Sequence, residues 1–277
     1  MTVKFIILGR LGNAIFRYMA CAIMCIITNT EYSSSYSYYN NSNDISDSTN
    51  DNFNLVLTDD KFLEVSRFLL TNYPIPVLNK NMIMNGFYQH DSIYKKYKNE
   101  IMNFINNHPE HIVITDGINS GDGNKEAFKM FDILNTPINF KKIYKNVIHL
   151  RLEDFVTHNL YLPVERILSL LNKNIITDSI CIVCKKPTTK FEFEYIKTIT
   201  DFLKEKYIDI DIKIENNDVL TDYYIMKEAE LLICSQSTLV WSAAFFSNKN
   251  KICYSPNYII PGSNMTCKFP TENTILY

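Results

Sequence analysis

Lys145-Asn146-Val147-Ile148-His149-Leu150-Arg151-Leu152-Glu153-Asp154-Phe155 runs from a short apolar stretch directly into an imidazole, a guanidinium and two carboxylates. The opening residues read as a buried strand, and in an open α/β sheet ligands bind in the crevice beyond the carboxyl ends of the strands. On that reading Arg151 faces something anionic. A solvated charge cluster at a strand-to-loop turn is the other reading of the same residues, so the rest of the chain has to decide between them.

Downstream, residues 163–171, 192–207, 222–230 and 238–246 carry apolar side chains at helical spacing. Residues 179–183, 211–214, 231–234 and 251–254 are short apolar runs of strand length. Strands and helices alternating in series predict a parallel sheet with helices on both faces. Upstream, residues 3–8 form an apolar run closed by Gly9-Arg10-Leu11-Gly12-Asn13, after which Ile15, Tyr18, Met19, Ala22, Ile23 and Ile26 recur at helical spacing. Residues 29–54 are rich in Ser, Tyr, Asn and Asp without a period and read as a surface excursion, with room for a brief strand at the tyrosines. A helix is expected at 59–70, a strand at 82–88, an amphipathic helix at 92–106 ending before His108-Pro109, and a short helix at 125–134. The glycine-rich residues 117–124 are the expected hinge. The chain thus reads as α/β, with two such units joined near residue 140, residues 1–143 and 144–277.

A length of 277 residues is enough for two domains, and 46% hydrophobic with 21% charged residues is near the globular average. With 28 basic against 30 acidic residues the net charge is −2, so no basic field exists to hold a nucleic-acid backbone. The seven cysteines are odd in number and lie mostly in apolar segments, which fits free thiols in a reducing, cytoplasmic compartment. Cys181-Ile182-Val183-Cys184 has the spacing of a metal half-site, but it lies on an expected strand, where positions three apart face opposite sides, and no second CxxC or His pair completes it. No metal is expected. The apolar runs at residues 3–8 and 19–27 are too short for a signal peptide or a bilayer span, so no transmembrane segment is expected either.

Two further strand ends are polar. Gly9 to Asn13 follows a strand and opens a helix, where backbone amides can approach an oxyanion or a sugar hydroxyl. A tight turn requiring glycine is the alternative. The G-x-G-x-x-G spacing of a dinucleotide site is missing there. After the strand at 231–234 come Ser235-Gln236-Ser237-Thr238, and Ser237 and Thr238 at a helix N-terminus suit a phosphate, although capping alone also accounts for a serine and a threonine there.

Four segments then line up with one family. Gly9-Arg10-Leu11-Gly12-Asn13-Ala14-Ile15-Phe16-Arg17-Tyr18 resembles the G-x-L-G-N-Q-M-F-Q-Y opening of the α-1,2-fucosyltransferases of glycosyltransferase family 11, and Gly86-Phe87-Tyr88-Gln89 its G-Y-F-Q segment. His149-Leu150-Arg151-Leu152-Glu153-Asp154-Phe155 is similar to its H-x-R-R-G-D-Y motif. Asp222 to Met226, with Ile233 to Thr238 and Trp241, resembles its D-x-x-x-M segment and I-S-N-S-S-F-S-W-W block. The order is kept and nearly the whole chain is covered.

The resemblance implies a GT-B-like fold of two Rossmann-like domains facing across a cleft, with the nucleotide-sugar donor on the C-terminal side and a glycan acceptor on the N-terminal side. It implies inverting, metal-independent transfer of a sugar, fucose from GDP-fucose by analogy, to a glycan hydroxyl, with no cofactor beyond the donor substrate. Rhamnose, xylose or mannose transfer is the alternative within enzymes, and a glycan- or nucleotide-binding module without turnover the alternative outside them. Arg151 is then the cation on the leaving diphosphate. His149, Ser235, Ser237 and Thr238 are donor contacts, Gly12 and Asn13 face the sugar or acceptor, and Asp154, Glu153 and His158 are the candidate bases. The chain departs from the family at Leu152, where the second arginine belongs, at Glu153, where glycine belongs, and at Cys184-Lys185-Lys186-Pro187, where the family has Ser-Asp-Asp.

Overall fold

In the computed structural model the chain divides into two compact units, Met1–Pro137 and Ile138–Tyr277. The structure describes residues 2–6, 9–39, 45–47, 55–58, 60–62, 64, 82–86, 88–89, 91–115, 126–158, 161–174, 176, 178–249, 252–255 and 274–276.

In the first unit, β1 (Thr2–Ile6) leads through α1 (Leu11–Thr28) to β2 (Glu31–Tyr39), β3 (Ile45–Asp47), β4 (Leu55–Leu57) and β5 (Met82–Met84). These strands form a sheet in the order β3-β2-β1-β5-β4, parallel except for β3 on β2. α1 is apolar on most of its circumference, so it is buried almost throughout. By length and composition it could cross a membrane, yet 78% of it is buried. It closes on Asn29 in the left-handed conformation, φ 49°, whose N–H reaches Cys25 O.

Three expectations for this unit are corrected. Residues 29–54, read as an excursion with at most a brief strand, contain nine-residue β2 beside β1. Tyr32 is buried and its hydroxyl donates to Ile112 O at 2.7 Å, so part of the tyrosine content is interior. Residues 126–129, expected to begin a helix, form β7 (Glu126–Lys129), antiparallel to β6 (Ile112–Thr115). Only Met130–Leu134 is helical. Cross-strand partners distant in sequence supply the hydrogen bonds there, and no local period announces them. The helix expected at 92–106 is two helices, α2 (Asp91–Lys96) and α3 (Lys98–Asn107), separated at Tyr97. With Met130–Leu134 as α4, the unit ends. The expected hinge at 117–124 and most of the helix expected at 59–70 lie outside the described residues.

In the second unit, β8 (Asn146–His149), α5 (Glu153–Thr157), α6 (Val164–Lys173), β9 (Ser179–Val183), α7 (Lys190–Lys206), β10 (Asp211–Glu215) and α8 (Val219–Glu228) come first. β11 (Leu231–Ile233), α9 (Thr238–Phe246), β12 (Ile252–Ser255) and β13 (Thr274–Leu276) follow. Among the described residues the sheet order is β10-β9-β8-β11-β12-β13, and every pairing is parallel. The chain starts in the middle at β8, works outward through β9 to β10, then returns to the other side of β8 as β11. This is the doubly wound order, and its reversal falls between β8 and β11.

The core beneath that reversal holds Ile148, Leu150, Leu152, Ile167, Leu171, Ile182, Ile196, Ile199 and Leu203. α9 is buried almost all round, including Trp241, Phe245 and Phe246, which fixes where its N-terminus lies. α7 starts on a capping box in which Glu192 N donates to Thr189 Oγ1 at 3.2 Å and Thr189 N to Glu192 Oε2 at 2.9 Å.

Candidate functional site

The carboxyl ends of β8 and β11 bring four of the expected residues together. His149, the last residue of β8, is 7% exposed, and its Nδ1 lies 2.7 Å from the hydroxyl of Ser235, itself buried two residues past β11. Burial, helped by the Arg151 guanidinium, pushes the His149 pKa down to about 3, so the imidazole is neutral at ordinary pH. Ser237 caps α9, its Oγ accepting from Leu239 N at 3.3 Å, with Thr238 as the first helical residue. The capping role is therefore real. It also fixes the N-terminus of α9, the positive end of the helix dipole, beside the reversal.

Arg151 stands two residues beyond β8 and forms a bidentate pair with Asp154, Nε to Oδ1 at 3.1 Å and Nη2 to Oδ2 at 3.0 Å. Its guanidinium carbon lies 5.1 Å from the centroid of the Phe155 ring. The planar fork is thus oriented from two sides before any ligand arrives. Asp154 holds that fork in addition to being a carboxylate at the site. His158 is the exposed C-cap residue of α5, its N–H bonded to Asp154 O at 3.1 Å.

The positions that differ from the resembling motif have different surroundings. Leu152 is 6% exposed and belongs to the core, so position 152 points inward and not at a ligand. Glu153 stands in the left-handed region, φ 33°, a conformation that favours glycine. Its N–H donates to Glu192 Oε1 at 3.0 Å, and its Oε2 lies 3.5 Å from Lys185 Nζ. Two of the departures, Glu153 and Lys185, therefore compensate each other's charge.

In the first unit, the two resembling segments also meet. Gly12 is buried in the first turn of α1, and Asn13 Oδ1 accepts from Gln89 Nε2 at 3.2 Å. Arg17 Nε donates to Gly86 O at 2.8 Å. Gly9 has φ +80°, a backbone angle that favours glycine, and a Cβ there would come within 2.7 Å of the side-chain amide nitrogen of Asn13. The segments follow β1 and β5, neighbours in that sheet.

Some residues of this region were not picked out as site residues by the sequence. Glu192 is buried, and its carboxylate also accepts from Thr188 N at 2.7 Å. Burial alone would raise it, but the hydrogen bonds from Thr188 and Thr189 hold it below the usual carboxylate range. At the exit of β10, Glu215 accepts from Lys142, Tyr144 and Asn217 at 2.8, 2.6 and 2.9 Å. Burial opposes these bonds, which nonetheless hold Glu215 at about 2. Asn217 also donates to Asp222 Oδ1 at 2.9 Å. Burial, opposed by those Asn217 bonds and reinforced by Asp218 and Glu215, pushes Asp222 up to about 6. Gln236 Oε1 is enclosed with no donor among the described residues. The capping-box spacing from Thr189 to Glu192 was visible in the sequence; the reach of Glu192 to Glu153 was not. Among the described residues no group of three His, Cys, Asp or Glu side chains is arranged to hold a metal ion.

No protein-family model matches the chain, and neither does any curated protein. Among solved structures the chain is similar to POFUT1 in complex with GDP-fucose, at 10% identity and a TM-score of 0.44 over 91% of this chain and 96% of that one. It is also similar to a mutant of Arabidopsis thaliana FUT1 in complex with GDP, at 10% identity and a TM-score of 0.42 over 88% and 68% of the two chains. At that identity and overlap the likeness bears on neither substrate nor residue roles.

Proposed function

We propose that the second unit binds a nucleotide sugar by its diphosphate at the reversal between β8 and β11, and that the chain is an inverting, metal-independent glycosyltransferase. The observation that carries this is the convergence of Arg151, the His149–Ser235 pair and the N-terminus of α9 at one switch point of a doubly wound sheet. The four sequence segments that resemble family 11 support a GDP-sugar donor, fucose by analogy, and a hydroxyl of a glycan as acceptor. They also support a GT-B-like arrangement in which the first unit, through Gly12 and Asn13, takes the acceptor side. Cysteine usage supports a cytoplasmic setting.

In the proposed reaction the acceptor oxygen attacks the anomeric carbon as the bond to the diphosphate oxygen breaks, and GDP leaves with the electron pair. Arg151 neutralises the charge developing on that oxygen, a contribution commonly worth about 3 kcal/mol or more. The hydroxyl proton passes to a group of the same loop, Asp154, Glu153 or His158. The bidentate pair supports an orienting role for Asp154 as well.

Thermal-shift measurements of the full chain against GDP-, UDP- and dTDP-sugars test the reading, because a ligand of the native state raises apparent stability. A shift with GDP-sugars that disappears in Arg151→Ala is expected. No shift with any nucleotide sugar from a folded chain would overturn it. Transfer is expected to survive EDTA, and strict dependence on added Mn²⁺ would contradict the metal-free chemistry. The core position of Leu152 favours one second reading, a module that holds the nucleotide without turnover. Binding of the GDP-sugar with no hydrolysis or transfer would select it.

A further inference from the structure

We infer that Lys185 is a second cation of the diphosphate site, held by Glu153 until an anionic ligand takes it; the inference rests on the nucleotide-sugar reading above. The β8–β9 ladder pairs Asn146 with Ile180 and His149 with Val183, and Leu150 N still donates to Val183 O at 2.9 Å beyond it. The two strands therefore leave the sheet at the same level. Arg151 and Lys185 are each two residues past the last pair, on adjacent exits.

Their carboxylate partners are adjacent in sequence. Arg151 is paired with Asp154, and Lys185 Nζ lies 3.5 Å from Glu153 Oε2. Two cations and two carboxylates thus neutralise one another at the carboxyl edge of the sheet, on the β9 side of β8, the strand that borders the reversal. A diphosphate carries more than one negative charge, so one guanidinium leaves part of it uncompensated. Leu152 is committed to the core and supplies no cation.

Glu153 is held at its post by the fold. Its left-handed backbone is unfavourable for a side chain other than glycine, and the bond from its N–H to buried Glu192 keeps it there. Glu192 is anchored in turn by Thr188 and Thr189. The Glu153 carboxylate is therefore tied to a fixed backbone, while Lys185, at 51% exposure, has a long stem and a compact charge that can move from a carboxylate to a phosphate.

This arrangement makes Glu153 a competitor of the ligand, so the two members of one ion pair should act in opposite directions. Titration calorimetry of the full chain with GDP is the test, with guanosine as the control lacking phosphates. Lys185→Gln is expected to weaken GDP binding about tenfold, the size of one charge-assisted contact. Glu153→Gln is expected to strengthen it about threefold. Guanosine binding should change in neither variant. Weakening by both substitutions would mark the pair as structural and overturn the proposal, as would unchanged GDP affinity in Lys185→Gln. If folded wild-type chain binds no GDP, the nucleotide reading fails and this inference with it. If it binds GDP through Arg151 and Lys185→Gln is silent, only the role of Lys185 falls.

Discussion

His149 Nδ1 lies 2.7 Å from Ser235 Oγ, joining the exits of β8 and β11 across 86 positions of sequence. These strands flank the reversal of the sheet, so one buried hydrogen bond fixes the two strand exits relative to each other. Ser235→Ala removes the partner of a buried imidazole nitrogen, and such an orphaned group costs about 1–3 kcal/mol. Urea unfolding should register that loss. A stability equal to wild type would mean that water replaces the serine.

Arg151→Lys keeps the charge but loses the planar fork that engages Asp154 through two nitrogens. Transfer is expected to fall about 100-fold, the effect of one misplaced electrostatic donor. The melting temperature should change little, because the pair is partly exposed and such pairs contribute little to stability. Near wild-type turnover would show that charge alone suffices.

Leu152→Arg restores the arginine of the family pattern on paper. In this fold the side chain would enter the core among Ile148, Leu150 and Ile196, and an unpaired buried charge costs several kcal/mol. Loss of the folded second unit by circular dichroism is expected. A folded variant with tighter nucleotide binding would mean that position 152 can turn outward.

Acid should weaken both units through their histidines. His149 is held down at about 3 by burial and Arg151, and His111 at about 4 by burial and His108, against a smaller opposing effect of Glu110. Both sit below the ordinary 6.5, so as pH falls the unfolded chain takes up these protons first. Their contribution is complete above pH 6.5 and declines as pH falls toward about 4 for His111 and about 3 for His149. In His111→Gln, which can keep a partner for the Tyr18 hydroxyl, the drop in urea midpoint between pH 7.5 and 4.5 should be smaller than in wild type. An equal drop would assign the acid sensitivity elsewhere.

Asp222 has the opposite sign. Its carboxyl is pushed up to about 6, above its ordinary 3.8, so the folded chain holds this proton more tightly than the unfolded chain, and stability is lost as pH rises through 6. Asp222→Asn keeps an acceptor for Asn217 and removes the charge. The variant should melt higher than wild type at pH 8 and lose that advantage at pH 4. A lower melting temperature at pH 8 would show that the ionised carboxylate is needed.

The second unit was legible in outline because its apolar periods are strong: the strand expected at 179–183 and the helix expected at 238–246 are β9 and α9. Less of the first unit could be read. The Ser and Tyr alternation of β2 resembles a polar loop in composition, and β7 owes its strand form to β6 across a gap in sequence. Within the site, His149, Arg151 and Ser235 could be proposed because polar residues at strand ends are a local signal. Glu192 could be recognised only as a helix cap, since its bond to Glu153 spans 39 positions.

The sequence by itself determined the α/β alternation of the second unit and the positions where apolar strands break into polar groups, because both follow from side-chain periodicity over a few residues. Tertiary structure decided the strand order, the reversal between β8 and β11, the burial of Leu152 and the pairing of Glu153 with Lys185. Those depend on which faces pack together and which distant groups share hydrogen bonds and charge. Such partners are brought within reach only when the second unit has closed into its sheet.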